Sequence, residues 1–181
     1  MKLRNENDND NKKVPVGMHP ARCVYVIDLG KQEDTYEGKT TIKSKCMFSF
    51  EVPGYEYPMH KEYNVSLNEK SNLSKDLTSW FGNFSATDKE NGLDTEDILN
   101  KECTLNVGLN KNGNPKILGI LPKTQDVEEA KNSILHFEIE DYMNGNKESF
   151  NAFPEWIRNK ILDAKELFDN NDFDKDDDIP F

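Results

Sequence analysis

Residues 40–52, TTIKSKCMFSFEV, decide the fold prediction because their side chains alternate with a period of two. Most even-numbered positions are apolar, whereas the odd-numbered positions include Lys43 and Lys45. Such alternation is typical of a β-strand that buries one face. We therefore predict a half-buried strand with a basic outer face over 43–51, which Pro53-Gly54 ends.

Four more strands and one helix are predicted around this strand. Gly30 is expected to end the first strand, and Asn112-Gly113 is typical of a hairpin turn. In the predicted helix the apolar residues recur at helical spacing, and Gly82 follows its end. The predicted strands are 21–29, 40–52, 62–67, 102–109 and 116–121; the helix is 71–81, and 94–99 is a short helical turn.

The order of these elements predicts a mainly β protein with an OB-fold. An OB-fold is a five-stranded, partly open Greek-key barrel. Three strands in a meander, a helix and then a two-stranded hairpin match that order. An SH3-like barrel also has five strands but lacks the helix before the fourth.

The chain divides into four predicted segments. Residues 1–13 are polar and lack any apolar period, so we expect a disordered N-terminus. The OB-fold domain spans 14–122. A C-terminal extension spans 123–168; it ends in a helix, 154–168, and its HFEIEDY run at 136–142 is compatible with a short strand. Residues 169–181 form an acidic tail, predicted to be disordered.

Composition excludes several classes of protein. The net charge of −11 disfavours nucleic acids and membrane surfaces as partners of the chain as a whole, but residues 166–181 hold more than half of it. No apolar stretch reaches the roughly 18 residues that span a bilayer, and none follows Met1 as in a secretory signal. We therefore expect a soluble, cytoplasmic protein whose three cysteines, Cys23, Cys46 and Cys103, are reduced and buried.

Sequence motifs for catalysis are missing. Gly38-Lys39-Thr40 resembles the end of a phosphate-binding P-loop, but Glu33 stands where that motif needs glycine. We interpret it as a hairpin loop. His19, His60 and His136 are scattered, and the acidic tail lacks the glycine of a calcium loop. We predict no enzyme activity, no catalytic residues, no metal and no cofactor.

A basic and aromatic band is the candidate binding site. Residues 39–63 carry a net charge of +1 in a chain of −11, with tyrosines and His60 among the lysines. An OB-fold binds single strands on strands 2–3 and their flanking loops, where aromatic rings stack on bases and lysines contact phosphates. Trp80 belongs to the apolar helix stripe and is assigned to the core instead. The predicted DNA-binding residues are Tyr36, Lys39, Lys43, Lys45, Tyr55, Tyr57, Lys61 and Tyr63.

Two resemblances strengthen this prediction. The last six residues, DDDIPF at 176–181, resemble the C-terminal tip of bacterial single-stranded DNA-binding proteins. The body resembles a family of small phage-encoded proteins that is placed with phage replication functions and thought to bind single-stranded DNA. The runs that carry the second resemblance are Ala21-Arg22-Cys23, Val26 to Gly30, Ser66 to Leu73, Lys75-Asp76-Leu77 with Ser79-Trp80, and Pro154 to Ile157.

These resemblances imply a division of labour. The OB-fold domain would hold single-stranded DNA without sequence preference, in the host cytoplasm if the protein is phage-encoded. The tip would recruit enzymes of DNA replication, recombination or repair, with Phe181 entering an apolar pocket and the acids meeting its basic rim. The implied partner-binding residues are Asp176, Asp177, Asp178, Ile179, Pro180 and Phe181.

Two alternatives remain open at this point. An acidic interaction protein, mimicking DNA or the tip of a single-stranded DNA-binding protein, would sequester a host enzyme without binding DNA. The lysines of strands 2–3 count against it. A phage nuclease is the third possibility, but clustered acids and histidines for a metal are not seen in the sequence.

Overall fold

The structure, a computed structural model, describes residues 12–82 and 93–171, the side chains of 169–171 excepted. Residues 1–11 of the predicted disordered N-terminus lie outside the described residues. The acidic tail beyond residue 171 does too, including all six predicted partner-binding residues.

Six strands of the described residues form one open sheet, which confirms a mainly β protein. Their order is β3-β2-β1-β4-β5 with antiparallel neighbours, and β6 pairs parallel with β1. Among the described residues no ladder joins β3 to β5, so the sheet does not close. The strands are β1 Gly17–Tyr36, β2 Lys39–Glu51, β3 Met59–Asn64, β4 Glu102–Leu109, β5 Pro115–Leu121 and β6 Leu135–Phe137.

The first strand is much longer than predicted, because Gly30 bends it without ending it. Gly30 has a φ of +63° and lies at an irregularity in the β1–β2 register. Its N–H donates to Oδ1 of Asp28 at 2.8 Å, so the bulge is held locally. Strand β1 then continues into a tight turn at Glu37 and Gly38, where both φ angles are positive. The P-loop-like Gly38-Lys39-Thr40 is thus a hairpin, as predicted.

The helix before β4 is also as predicted. Helix α1 is Asn72–Phe81; the Ser71 side chain caps its first turn by accepting from the N–H of Ser74 at 3.1 Å, and Gly82 follows it. Its buried residues include Leu73, Leu77 and Trp80, whereas Phe81 is exposed. The short helical turn predicted over 94–99 is a 3₁₀ helix, Thr95–Ile98.

Each face of the sheet has its own apolar core. The first core lies between the inner face and α1; it includes Phe48, Phe50, Leu77 and Trp80, and also the three cysteines. All three thiols are free and buried, as predicted, and burial raises the pKa of the Cys46 thiol to about 12. The second core covers the outer face of β1 and β2 with residues from the C-terminal extension.

The extension is built from four short helices. The predicted helix 154–168 is two helices, because the chain turns at Asp163 and Ala164, where the buried Ala164 packs beside Gly30. The predicted strand within HFEIEDY is correct only at its start, where β6 lies. The helices are α2 Ile139–Met143, α3 Glu148–Ala152, α4 Glu155–Leu162 and α5 Lys165–Asn171.

Hydrogen bonds fasten the start of the extension to the sheet. The guanidinium of Arg22 donates to the carbonyl oxygens of Val127 and Glu128 at 2.7 and 3.0 Å. The carboxylate of Glu51 accepts from the N–H groups of Lys131 and Asn132 at 2.8 and 2.7 Å. Charged partners make such bonds strong, so the first part of the extension is held against β1 and β2.

The prediction of a basic outer face over 43–51 is therefore wrong for most of that stretch. Met47, Ser49 and Glu51 are buried, because the extension packs on this face. Only residues 39–44 of β2 are exposed on both faces. Strand alternation correctly separated the two faces but did not reveal what covers the outer one.

Candidate nucleic-acid interface

Four of the predicted DNA-binding residues lie on one face of the β1–β2 hairpin. In the register, Tyr36 pairs with Lys39, and Lys43 and Lys45 follow at alternate positions of β2. Alternate residues of a strand share a face. Tyr36 is 76% exposed and sits beside the turn. We call these four residues, Tyr36, Lys39, Lys43 and Lys45, the basic hairpin face.

The lysines of the basic hairpin face differ in their partners. Nζ of Lys45 lies 2.6 Å from Oδ1 of Asp34, and this hydrogen bond lowers the pKa of the Asp34 carboxyl. Lys39 and Lys43 make no ion pair with the described residues and are exposed. Because an unpaired cation keeps its full charge for an external anion, Lys39 and Lys43 are the residues best suited to contact phosphates.

Two predicted residues of β3 lie on the other side of the sheet. Nζ of Lys61 and the hydroxyl of Tyr63 both donate to Oδ2 of Asp76 in α1, at 2.6 and 2.7 Å. Tyr63 is only 3% exposed, and burial, followed by the charge of Asp76, raises its pKa. These side chains tie β3 to α1. Because Tyr63 is buried, its placement on a binding surface was wrong, and the Lys61 ammonium is already paired with Asp76.

The remaining two tyrosines lie in the loop between β2 and β3. Tyr57 is 59% exposed. Tyr55 is partly buried against the first core, with Nζ of Lys12 4.9 Å from its ring centroid. Strand β2 has 13 residues, which at about 3.3 Å per residue places this loop roughly 40 Å from the hairpin turn. The predicted band is therefore two separate groups.

Helix α4 places Trp156 and Lys160 against the outer face of β3. Neither residue was among the predicted DNA-binding residues. The Lys160 ammonium pairs with the carboxylate of Glu62 in β3. The Trp156 ring lies edge-on to His60, with 4.7 Å between centroids. His60 also shares a 2.6 Å hydrogen bond with Ser49, and burial lowers its pKa to about 4. The signal was present in the sequence, since Trp156 and Lys160 are four residues apart beside the apolar stripe of Ile157 and Ile161.

An apolar cavity of 470 Å³ lies between the sheet and α1, but its lining does not suit nucleic acid. Leu73, Leu77 and Phe48 contribute to its walls. Its charged groups are the carboxyls of Asp28, Glu138 and Glu166, and burial raises the pKa of Asp28 and of Glu138. A phosphate would be repelled by ionised carboxyls, so this cavity is not the candidate interface.

The three histidines lie on different elements. His19 is in β1, where Nε2 bonds the carbonyl of Pro15 at 2.7 Å. His136, in β6, bonds the Thr95 hydroxyl at 2.9 Å. Within residues 12–82 and 93–171, no group of three or more histidine, cysteine or acidic side chains is arranged to hold a metal ion.

No helix in the same ranges is both long and apolar enough to cross a membrane.

Comparison with known proteins does not assign the chain to a family. No protein-family model matches it, and no curated protein matches it in sequence.

Proposed function

We propose that this protein binds single-stranded DNA without sequence preference and without catalysis. One observation carries the proposal: the hairpin register gathers Tyr36, Lys39, Lys43 and Lys45 on one exposed face. Lysines that contact phosphates hold a nucleic acid but do not read its bases. An exposed tyrosine adds a ring on which any base can stack.

The strand order supports an OB-type interpretation of the fold. Strands β1 to β3 form a meander, β1 also pairs with β4, and α1 lies between β3 and β4. The free edges of β3 and β5 border a shared cleft of 440 Å³, lined by residues such as Lys61 and Lys116. An OB-fold barrel is partly open and uses the loop between its first two strands as one wall of the binding site. The basic hairpin face would form that wall.

Affinity for single strands should exceed affinity for duplex and should fall with salt. Stacking on Tyr36 needs an unpaired base, which a duplex does not offer. Each phosphate neutralised on a single strand contributes about −0.7 to the slope of log affinity against log salt. Fluorescence anisotropy with labelled oligo(dT) and a matched duplex, at several salt concentrations, measures both quantities.

The alternatives give other outcomes in the same titration. No binding to either DNA at low salt would favour the acidic interaction protein, whose charge of −11 would serve to imitate DNA. Shortening of the oligonucleotide in magnesium would indicate a nuclease. Equal affinity for single strands and duplex would contradict the stacking role of Tyr36.

The acidic tail is proposed to recruit enzymes of DNA replication, recombination or repair. Residues 169–181 carry six acids and one base, so the tail should also compete with DNA for the lysines. Deleting 169–181 should raise DNA affinity, most clearly near 0.01 M salt, where the Debye length is about 30 Å.

Deleting only Phe181 separates the two roles of the tail. This deletion leaves every acid in place, so DNA affinity should stay within about twofold of the full chain while enzyme capture from a host lysate is lost. Replacing Asp176, Asp177 and Asp178 with asparagine is the converse variant, because it removes charge, keeps the apolar tip and should raise DNA affinity. If the full chain, the tail-deleted form and the Phe181-deleted form capture the same proteins, the tail has no recruiting role.

A further inference from the structure

Helix α4 presents an exposed aromatic ring and a cation beside the basic hairpin face. Ile157 and Ile161 are fully buried in the second core. Trp156 and Lys160 are four residues apart and therefore neighbours on the helix surface. Trp156 is 45% exposed, which is a large area of indole left in contact with water.

Helix α4 contacts both β3 and the β1–β2 hairpin, so it lies next to the basic hairpin face. On β3, His60 contacts Trp156 and Glu62 pairs with Lys160; these two β3 residues share the outer face because they alternate. On the hairpin, the Gln32 side chain donates to the carbonyl oxygen of Lys160 at 3.0 Å. Gln32 pairs with Lys43 in the register. The surface therefore runs from Lys43, past Lys160, to Trp156.

The extension changes which surface a nucleic acid would meet. In an OB-fold, strands 2 and 3 provide the binding face, but here Met47 and Ser49 are buried beneath the extension. The outward surface above those strands is now α4. Along the route from the turn to α4 lie Lys39, Lys43, Lys45 and Lys160. Lys45 and Lys160 pair with Asp34 and Glu62, so Lys39 and Lys43 supply the cations that are open to a polyanion.

We propose that single-stranded DNA continues from the basic hairpin face across α4, where a base stacks on the indole of Trp156 and Lys160 lies beside the backbone. This proposal rests on the proposed function and extends it by a second stacking residue on a separate element. A half-exposed indole next to lysines is the arrangement that binds single strands without reading sequence, because every base has a π-face.

The chain contains only two tryptophans, Trp80 and Trp156, which gives a direct test. In a Trp80→Phe variant, Trp156 is the sole source of tryptophan fluorescence. Titrating this variant with unlabelled oligo(dT) should quench its tryptophan emission. The quenching should saturate at the same ratio of DNA to protein as the anisotropy of labelled oligo(dT). In the otherwise unchanged chain, Trp156→Ala should weaken oligo(dT) binding about 5- to 150-fold, and Trp156→Phe should restore part of the affinity.

Met143→Ala is the matched control, since Met143 is another exposed apolar residue of the extension and should leave affinity unchanged. Binding by Trp156→Ala equal to that of the unaltered protein, or no quenching on saturation, would overturn the path across α4. If the lysines of the hairpin still matter in that case, the proposed function stands. If the unaltered protein does not bind oligo(dT) at low salt, the proposed function itself fails.

Discussion

Reversing the charges of Lys39 and Lys43 together should weaken single-stranded DNA binding at least about hundredfold at low salt. Both lysines are exposed on the basic hairpin face and lack an ion pair with the described residues. A hydrogen bond to a charged group contributes about 1.5–3 kcal/mol, and two such contacts would be lost. The salt slope should also become shallower by about 1.4, at about 0.7 for each phosphate released.

The same titrations with a second double variant test whether the loss of DNA affinity depends on the position of the two lysines or only on the total charge. Lys75→Glu with Lys101→Glu changes the net charge by the same amount at exposed sites of α1 and of the turn before β4. This control should retain most of the affinity. Equal losses in the two variants would show that only long-range charge matters, and the hairpin would not be the site. Lys45 is a poorer probe, because a glutamate there would face Asp34.

Replacing Trp80 with alanine should lower the free energy of unfolding by about 3–5 kcal/mol. The side chain is 4% exposed and packs against Phe50, with 5.7 Å between ring centroids. Its indole N–H donates to the carbonyl oxygen of Glu102 at 2.9 Å. The variant would leave both a cavity and an unpaired carbonyl where α1 meets β4. Urea denaturation followed by circular dichroism gives the change directly.

Trp156→Ala is the natural comparison in the same denaturation experiment. Its indole is half exposed and donates no hydrogen bond to the described residues, so less apolar area returns to water and the loss should be well below that of Trp80→Ala. A loss at Trp156 that equals or exceeds the loss at Trp80 would mean that the buried and exposed tryptophans have been assigned the wrong way round.

Several elements were predictable because their signals are local. Strand β4 begins and ends at the residues predicted for it, 102 and 109. Helix α1 is bounded by Ser71 and Gly82, residues whose capping roles depend only on the adjacent backbone. Burial of the three cysteines followed from the apolar strands around them. The hairpin residues Tyr36, Lys39, Lys43 and Lys45 share a face because strand alternation and a tight turn are also local properties.

The rest depended on contacts between segments far apart in the sequence. Alternation separates two faces of a strand, but it does not say which segment covers each face. The extension, which begins more than 70 residues after the end of β2, buries Met47 and Ser49 and brings Trp156 to the surface above them. Asp76 draws Lys61 and Tyr63 toward α1 by hydrogen bonds that no sequence period encodes. The sequence by itself thus determined the order of the five main strands, helix α1 and the basic hairpin face. Tertiary packing decided which surface remains open, because burial depends on all segments that share a core.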